Sequence, residues 1–189
     1  YPIILKGLKR LEYRGYDSSG IALFGDMVNT FKKKGRVVEL EAWDEEIIST
    51  ATVGIGHTRW ATHGEPSDAN AHPHSSNSGR LTLVHNGIIE NYGSLKQELI
   101  QKGYTFQSQT DTEVLVNFIE DIQINNNSSL EEAMRIALKR VVGAYVLIVM
   151  EEGFPNRLIA ARKGSPLVIG VGDGEHFLAS DASPIIEYT

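Results

Sequence analysis

The sequence contains no cysteine, no long apolar run and no excess of positive charge, and each absence excludes a class of protein. Without cysteine there are no disulfides, which fits a cytoplasmic protein. No apolar run approaches the ~18 residues of a membrane span, and we expect no signal peptide before the domain. The formal charge of −6 leaves no basic stripe that could displace counterions from a nucleic acid.

The composition is that of an ordinary globular protein, with 189 residues, 41% hydrophobic and 22% charged. This length predicts one domain that can bury a real core. Ile4, Leu8 and Leu11 recur at helical spacing and predict that the chain opens inside an amphipathic helix. An opening of this kind suggests a missing preceding segment.

Further helices are predicted at 39–48, at 91–102, from a capping box at Thr110 to Glu113, and from a second capping box at Ser129 to about Val141. Short apolar or β-branched runs predict strands at 21–24, 28–33, 53–57, 81–85, 144–150, 158–161, 167–171 and 176–179. Helices in the middle and strands at both ends, without βαβ alternation, favour an α+β fold with a largely antiparallel sheet.

Two histidine-rich blocks, 57–74 and 84–91, stand out from the rest of the chain. Five of the six histidines and one of the two tryptophans fall between positions 57 and 85. Structureless loops beyond about 12–15 residues are uncommon in compact domains and are usually functional or disordered. With so many bulky side chains, this segment is predicted to be a ligand-binding loop.

The residue types in these blocks suit a small amino-acid ligand. Arg59, beside the hydroxyl of Thr62, could grip a carboxylate through charge-assisted hydrogen bonds. Asp111, in the first turn of a predicted helix, could hold an ammonium group. Asn86-Gly87 at a predicted strand end could offer a side-chain amide and a backbone N–H to one point, as an oxyanion hole does.

Structural interpretations remain open for each of these residues. Asn86-Gly87 is also a common hairpin turn, although Ile-Ile-Glu-Asn follows it rather than a polar alternating strand. Asp111 is also a simple helix cap. Arg59-Trp60 could be a structural cation–π pair.

The remaining histidines are assigned by their neighbours in the sequence. His72-Pro73-His74 has neither a helical partner spacing nor a carboxylate ligand nearby, which disfavours a metal site. His63 and His72 are predicted to orient the loop or contact the ligand. His57 and His85, next to strands, are predicted to be satisfied structural imidazoles.

Several blocks together carry a resemblance to a known family. They are Leu11–Ser18, His57–His74, His85–Asn91, Thr110–Glu113 and Gly164–Gly170. In their order and spacing they resemble the glutaminase domain of glucosamine-6-phosphate synthases, which are class II glutamine amidotransferases. The resemblance covers essentially the whole chain. It implies the four-layer αββα fold of N-terminal-nucleophile hydrolases, with two stacked and mainly antiparallel sheets.

The resemblance also implies a role for each matching residue. The α-carboxylate of glutamine would be held by Arg59 with Thr62 and His63, and the α-amino group by Asp111. Asn86 and the N–H of Gly87 would stabilise the tetrahedral oxyanion.

Other roles are implied for the edge of the pocket. Trp60 would belong to a mobile loop that closes over glutamine and helps to gate ammonia, and His72 belongs to the same substrate-binding block. Arg14 would lie near the nucleophile, although a structural Arg14–Asp17 pair would look the same. No metal and no organic cofactor are implied.

The chain departs from the family at the nucleophile. The family attacks glutamine with an N-terminal cysteine whose free amino group is the base, and this sequence starts at Tyr1 without any cysteine. We therefore expect residues 1–189 to be a glutaminase domain that is incomplete at both ends, with the sugar-isomerase domain absent. Either a nucleophile-bearing segment precedes it in the natural protein, or the chain is a truncated form.

The implied partners are L-glutamine and, in the parent enzyme, the isomerase domain with fructose-6-phosphate. The implied parent is a homodimer, and the isolated domain could be monomeric. Two alternatives stay open: another class II amidotransferase, or a catalytically inactive glutamine-binding module. The blocks 58–63 and 11–18 favour the sugar enzyme.

Overall fold

The computed structural model describes residues 1–42 and 51–189. The helices are α1 (Pro2–Leu11), α2 (Tyr92–Gln101), α3 (Asp111–Asn126) and α4 (Leu130–Arg140), with 3₁₀ turns at Glu12–Arg14 and Val37–Ala42. The strands are β1 (Ser18–Phe24), β2 (Val28–Lys34), β3 (Val53–Arg59), β4 (His74–Ser75), β5 (Leu81–Ile89), β6 (Gly143–Glu151), β7 (Leu158–Lys163), β8 (Val168–Val171) and β9 (His176–Ala179). Within these ranges no helix is long and apolar enough to cross a membrane.

The strands form three sheets. The first has the order β2-β1-β3, the second β4-β5-β6-β7, and a two-stranded sheet pairs β8 with β9. The strand pairs within these sheets are antiparallel. The predicted antiparallel character is therefore confirmed.

Strand β1 is buried along its whole length, and its two faces serve different cores. Ile21 and Leu23 point to one side and pack with Leu8 of α1. Ala22 and Phe24 point to the other side and pack against β5 and β6 of the second sheet. Because successive side chains of a strand point to opposite faces, β1 lies in a layer between a helix and another sheet.

Strand β6 shows the same division in the second sheet. Leu147 and Val149 join the large core formed with α2, α3 and α4, whereas Met150 faces the first sheet. The layers therefore follow the order helix, sheet, sheet, helices. The predicted α+β class and its four-layer arrangement are confirmed.

Helix α3 is unusual because it is buried on every side from Asp111 to Gln123. Its polar side chains are paired instead of solvated. Asn117 accepts a hydrogen bond from the backbone N–H of Asn77 at 2.8 Å, and Glu120 accepts one from the hydroxyl of Ser76 at 2.6 Å. Buried polar groups are tolerated when they are paired in this way.

The predicted helix boundaries are close to those observed. Thr110 and Ser129 act as N-caps, each accepting a hydrogen bond from the backbone N–H three residues later. The capping box at Thr110 is only half formed, because the Glu113 carboxylate accepts the N–H groups of Gln107 and Ser108 instead. The predicted helix at 39–48 is replaced in part by the 3₁₀ turn Val37–Ala42, and 43–50 lie outside the described residues.

Several strands extend beyond their predicted ends. β1 begins at Ser18, β3 continues to Arg59 and β5 continues to Ile89. The predicted loop between the histidine blocks is therefore shorter, and the two-residue strand β4 interrupts it. Several residues in these extensions are polar and lack the apolar pattern of a strand. Pairing with the neighbouring strand keeps their backbone extended.

Candidate functional site

A cavity of about 500 Å³ is lined by residues of the two large sheets, of α1 and of the segment 176–185, and its size suits a small metabolite. Its lining includes every residue singled out from the sequence: Arg14, Arg59, Trp60, Thr62, His63, His72, Asn86, Gly87 and Asp111. The structure thus gathers residues from several separate segments of the chain. Their individual roles stay predictions.

Arg59 ends strand β3 and is almost fully buried, with 3% of its surface exposed. Its Nη2 donates to the carbonyl oxygens of His63 and of Gly64, the latter at 2.8 Å. Its Nη1 lies 3.5 Å from Oδ1 of Asp17 and has no hydrogen-bond partner among the described residues. A buried guanidinium with an unsatisfied N–H in a cavity wall is well placed to bind an anion.

Asp111 is the first residue of α3 and is buried beside the cavity. Its Oδ2 accepts a hydrogen bond from the N–H of Ile89 at 2.8 Å, and its Oδ1 lies 4.0 Å from Nδ1 of His63. Its position in the first helical turn favours a negative charge through the helix dipole. Arg59 and Asp111, which have opposite charges, therefore both line the cavity and both lie close to His63.

Asn86-Gly87 lies inside strand β5, so the prediction of a strand end or hairpin turn here was wrong. The two residues pair with Val146 and Tyr145 of β6. Gly87 has φ +140°, and a Cβ at this position would lie 2.2 Å from the carbonyl oxygen of Ala144. Only glycine allows β5 and β6 to approach this closely.

Strand alternation predicts that the N–H of Gly87 points away from β6. Residues of an antiparallel strand alternate between bonding one neighbour and facing the other edge. Ile89, two residues further along, directs its N–H away from β6 to Asp111, whereas the N–H of Glu90 bonds Val142 on the β6 side. The same alternation predicts the N–H of Gly87 on the edge of the strand where Ile89 bonds Asp111, a residue of the cavity lining.

Four histidines line or underlie the cavity in a buried network. The rings of His57 and His72 stack with centroids 4.4 Å apart, and His74 meets His72 edge-on at 4.9 Å. Thr112 joins two of them, because its Oγ1 lies 2.8 Å from Nε2 of His72 and 3.0 Å from Nδ1 of His85. Sequence reasoning missed Thr112, although it belongs to the capping-box segment.

Burial keeps these imidazoles uncharged. Desolvation lowers the pKa of His57 to about 3 and lowers the pKa values of His72, His74 and His85 below their ordinary value. The prediction that His57 and His85 are satisfied structural imidazoles was wrong for one ring nitrogen of each. Among the described residues, Nδ1 of His57 and Nε2 of His85 have no hydrogen-bond partner.

The rim of the cavity carries the remaining candidates. Trp60 is 72% exposed, and the hydroxyl of Thr62 lies 3.3 Å from Nδ1 of His63. Arg14 donates to Oγ of Ser180 at 3.2 Å rather than pairing with Asp17. Asp17 is instead the partner of Arg59, so the alternative Arg14–Asp17 pair was wrong.

Asp17 is a second residue that sequence reasoning missed as part of the site. It pairs with Arg59, accepts the backbone N–H of Ala61, and donates its own N–H to the carbonyl of Arg59 at 2.9 Å. The signal was present in the block 11–18 that carries the family resemblance. Across 1–42 and 51–189, no group of three or more histidine and carboxylate side chains is arranged to hold a metal ion.

Comparison with known proteins agrees with this geometry. Residues 26–188 match a family model described as a glutamine amidotransferase domain. The chain is 57% identical to a glutamine–fructose-6-phosphate aminotransferase (isomerizing) of Bacteroides thetaiotaomicron and 56% identical to one of Chlorobaculum tepidum. Each alignment covers 100% of this chain but only 31% of the relative, so the chain spans under a third of their length.

Solved structures show the same architecture. The glutamine phosphoribosylpyrophosphate amidotransferase of B. subtilis superimposes with a TM-score of 0.80 at 29% identity, over 98% of this chain and 40% of that chain. A structure described as the allosteric regulatory enzyme of purine biosynthesis gives a TM-score of 0.82 at 29% identity, with the same coverage. The fold is that of the N-terminal-nucleophile amidotransferases. The chain belongs to the glutamine amidotransferase domain family.

Proposed function

We propose that the chain is the glutamine-hydrolysing domain of a cytoplasmic glutamine–fructose-6-phosphate amidotransferase. In this proposal residues 1–189 form the glutaminase domain, and a sugar-isomerase domain uses the released ammonia to make glucosamine-6-phosphate. Identities of 57% and 56% to enzymes with this name support the proposal. The phosphoribosylpyrophosphate amidotransferase, the alternative within the class, is only 29% identical.

The proposal rests mainly on one observation: two buried side chains of opposite charge line the same cavity. Arg59 and Asp111 are each more than 95% buried, and each is anchored by a hydrogen bond to a backbone group. An α-amino acid presents one carboxylate and one ammonium group at fixed separation. A charged pair held rigidly in this way recognises both groups without reorganising.

The rest of the cavity suits the side chain of glutamine. In the proposed pose the carboxylate of glutamine lies on the guanidinium of Arg59 and its ammonium on Asp111, with the side-chain amide toward Asn86 and Gly87 of β5. The side-chain amide of Asn86 and the N–H of Gly87 then donate to the amide oxygen. These two hydrogen bonds become stronger when the oxygen acquires a negative charge in the transition state. An oxyanion hole accelerates acyl transfer in this way.

The proposed reaction needs a thiol that these 189 residues do not contain. An N-terminal cysteine thiol attacks the side-chain amide carbon, and the tetrahedral intermediate expels ammonia to leave a thioester. Water then hydrolyses the thioester to glutamate and the free thiol. The described residues contribute substrate binding and oxyanion stabilisation, and no cofactor takes part.

Calorimetric titration with L-glutamine tests the binding half of the proposal. We expect the chain to bind L-glutamine, and Arg59→Lys to weaken binding about tenfold, roughly 1.4 kcal/mol, because lysine cannot keep both the loop carbonyls and the ligand. Arg162→Lys, on an exposed arginine at the end of β7, is the charge-matched control and should bind normally. Equal affinity of Arg59→Lys and the unchanged chain would remove Arg59 from the pocket.

The full-length gene product tests the catalytic half. We expect a single covalent adduct by intact mass with a glutamine-analogue diazoketone that traps a catalytic thiol, and glucosamine-6-phosphate formation from glutamine and fructose-6-phosphate. Glutamine binding without an adduct would identify an inactive glutamine-binding module. Ammonia transfer to phosphoribosylpyrophosphate instead of the sugar phosphate would identify the other enzyme.

A further inference from the structure

We propose that Gly15 is a positioning residue that seats the indole of Trp60 at the rim of the cavity. The seat fixes the segment that carries Arg59, Thr62 and His63, and thereby the shape of the binding site. Its effect on glutamine rests on the proposed function. The contact between Gly15 and Trp60 does not.

The contact is too close for any side chain other than hydrogen. Gly15 is buried, follows the 3₁₀ turn Glu12–Arg14 and has φ +125°. A Cβ built on Gly15 would lie 1.9 Å from Cε3 of Trp60, 2.8 Å from Cδ2 and 2.9 Å from Cζ3. Real Cβ atoms essentially never come within 3.0 Å of a heavy atom from a residue that is not adjacent in the chain, so the indole would have to move.

The backbone around Trp60 is tied to the residues that follow Gly15. The N–H of Asp17 donates to the carbonyl of Arg59 at 2.9 Å, and its carboxylate accepts the N–H of Ala61. The backbone on both sides of Trp60 is therefore hydrogen-bonded to Asp17, which lies two residues after Gly15. Both bonds are made by backbone atoms of the neighbouring residues, so Asp17 holds the backbone on either side of Trp60 while the indole projects from it against Gly15.

The displaced segment is the one that supplies the cavity wall. Arg59 precedes Trp60 directly, and Thr62 and His63 follow within three residues and line the same cavity. Arg59 also holds the carbonyl oxygens of His63 and Gly64. A displacement of Trp60 that includes its backbone therefore reaches the proposed carboxylate-binding groups, and small misplacements of binding groups are costly.

The test uses Gly15→Ala with Trp60 as its own reporter. Trp43 and Trp60 are the two tryptophans of the chain, so Trp43→Phe in every variant leaves Trp60 as the sole indole fluorophore. We expect Gly15→Ala to shift the emission maximum, to change quenching by acrylamide, and to raise the Kd for L-glutamine at least fivefold.

Two controls separate the seat from backbone strain. Gly103→Ala places a methyl at φ +93° with no atom within 4 Å, and it should leave Trp60 emission and glutamine affinity unchanged. In a Trp60→Ala background, where the collision is removed, adding Gly15→Ala should change the Kd less than twofold.

Each outcome decides the proposal. Unchanged Trp60 emission in Gly15→Ala, or a fivefold loss of affinity that persists without the indole, would overturn it. If Gly15→Ala does not fold, recovery of folding on adding Trp60→Ala supports the seat, and failure of both variants overturns it. If the unaltered chain binds no glutamine, the proposed function fails while the emission comparison still tests the seat.

Discussion

The imidazole rings of His57 and His72 stack with their centroids 4.4 Å apart beneath the cavity. Desolvation lowers the pKa of His57 to about 3 and holds the pKa of His72 well below its ordinary value. Each positive charge would also repel the other across the stack. Both rings are therefore uncharged at neutral pH, and protonation of either ring would destabilise the folded state.

The stack makes stability depend on pH. An unfolded histidine titrates near 6.5, so between pH 6.5 and about 3 the unfolded chain binds more protons at His57 than the folded chain. Stability therefore falls as pH falls through this window. Each histidine that stays neutral when folded contributes a loss of about 2 kcal/mol on going from about pH 7.5 to about pH 5.

Urea unfolding at several pH values measures this effect. We expect the free energy of unfolding to decline below pH 6.5. The slope of that decline measures the number of protons taken up on unfolding, and His57→Gln should lower this number by up to one. The comparison uses the slope against pH, which does not depend on the overall stability of the variant. An unchanged slope in His57→Gln would show that His57 does not contribute.

Asp111→Asn tests recognition of the ligand's ammonium group. Asparagine keeps an oxygen that can accept the N–H of Ile89 but removes the negative charge. We expect glutamine affinity to fall at least tenfold by calorimetry, with folding retained. Asp68→Asn removes an exposed aspartate that pairs with Lys33 and should leave affinity unchanged. Equal effects from both variants would point to a general loss of charge.

Asn86→Ala tests the oxyanion interaction in the full-length gene product. Because the oxyanion forms only beyond the ground state, removal of one donor should lower kcat about 10²–10³-fold with KM nearly unchanged. Steady-state glutaminase kinetics separate the two constants. A loss confined to KM would show that Asn86 binds the substrate instead.

Gly87→Ala tests the close approach of β5 and β6. A methyl group would meet the carbonyl oxygen of Ala144 at 2.2 Å, at a φ of +140° that side chains rarely adopt. We expect a loss of about 2 kcal/mol or more, or failure to fold, by chemical denaturation. Gly93→Ala in α2 meets no atom within 4 Å and should be neutral or slightly stabilising. Tolerance of Gly87→Ala would contradict the observed strand geometry.

The sequence predicted those features that local chemistry decides. Thr110 and Ser129 cap their helices as expected, because an N-cap depends on residues within one turn. The residues expected to form a site line one cavity, since their types already suited opposite ends of one ligand.

Features that depend on contacts between residues far apart in the sequence were not predicted from it. Asn86-Gly87 has the local chemistry of a turn, but the register with Val146 and Tyr145 keeps it extended. Asp17 was considered as a partner for Arg14, although the pairing of β1 with β3 brings it to Arg59. The stacking of His57 on His72 likewise depends on the path of a loop that periodicity does not describe.

Helix α3 has no solvent-facing side over the stretch from Asp111 to Gln123. Amide hydrogens of such an element exchange only when a large part of the domain opens, so its local opening free energy approaches that of global unfolding. Asp111, at its first turn, is therefore carried by a part of the molecule that opens last. Trp60 and Thr62 lie on the irregular segment after β3, which is more exposed than α3 and is held to Asp17 by two hydrogen bonds. We therefore expect the amide hydrogens of this segment to exchange faster than those of α3, and glutamine binding to slow exchange most in this segment.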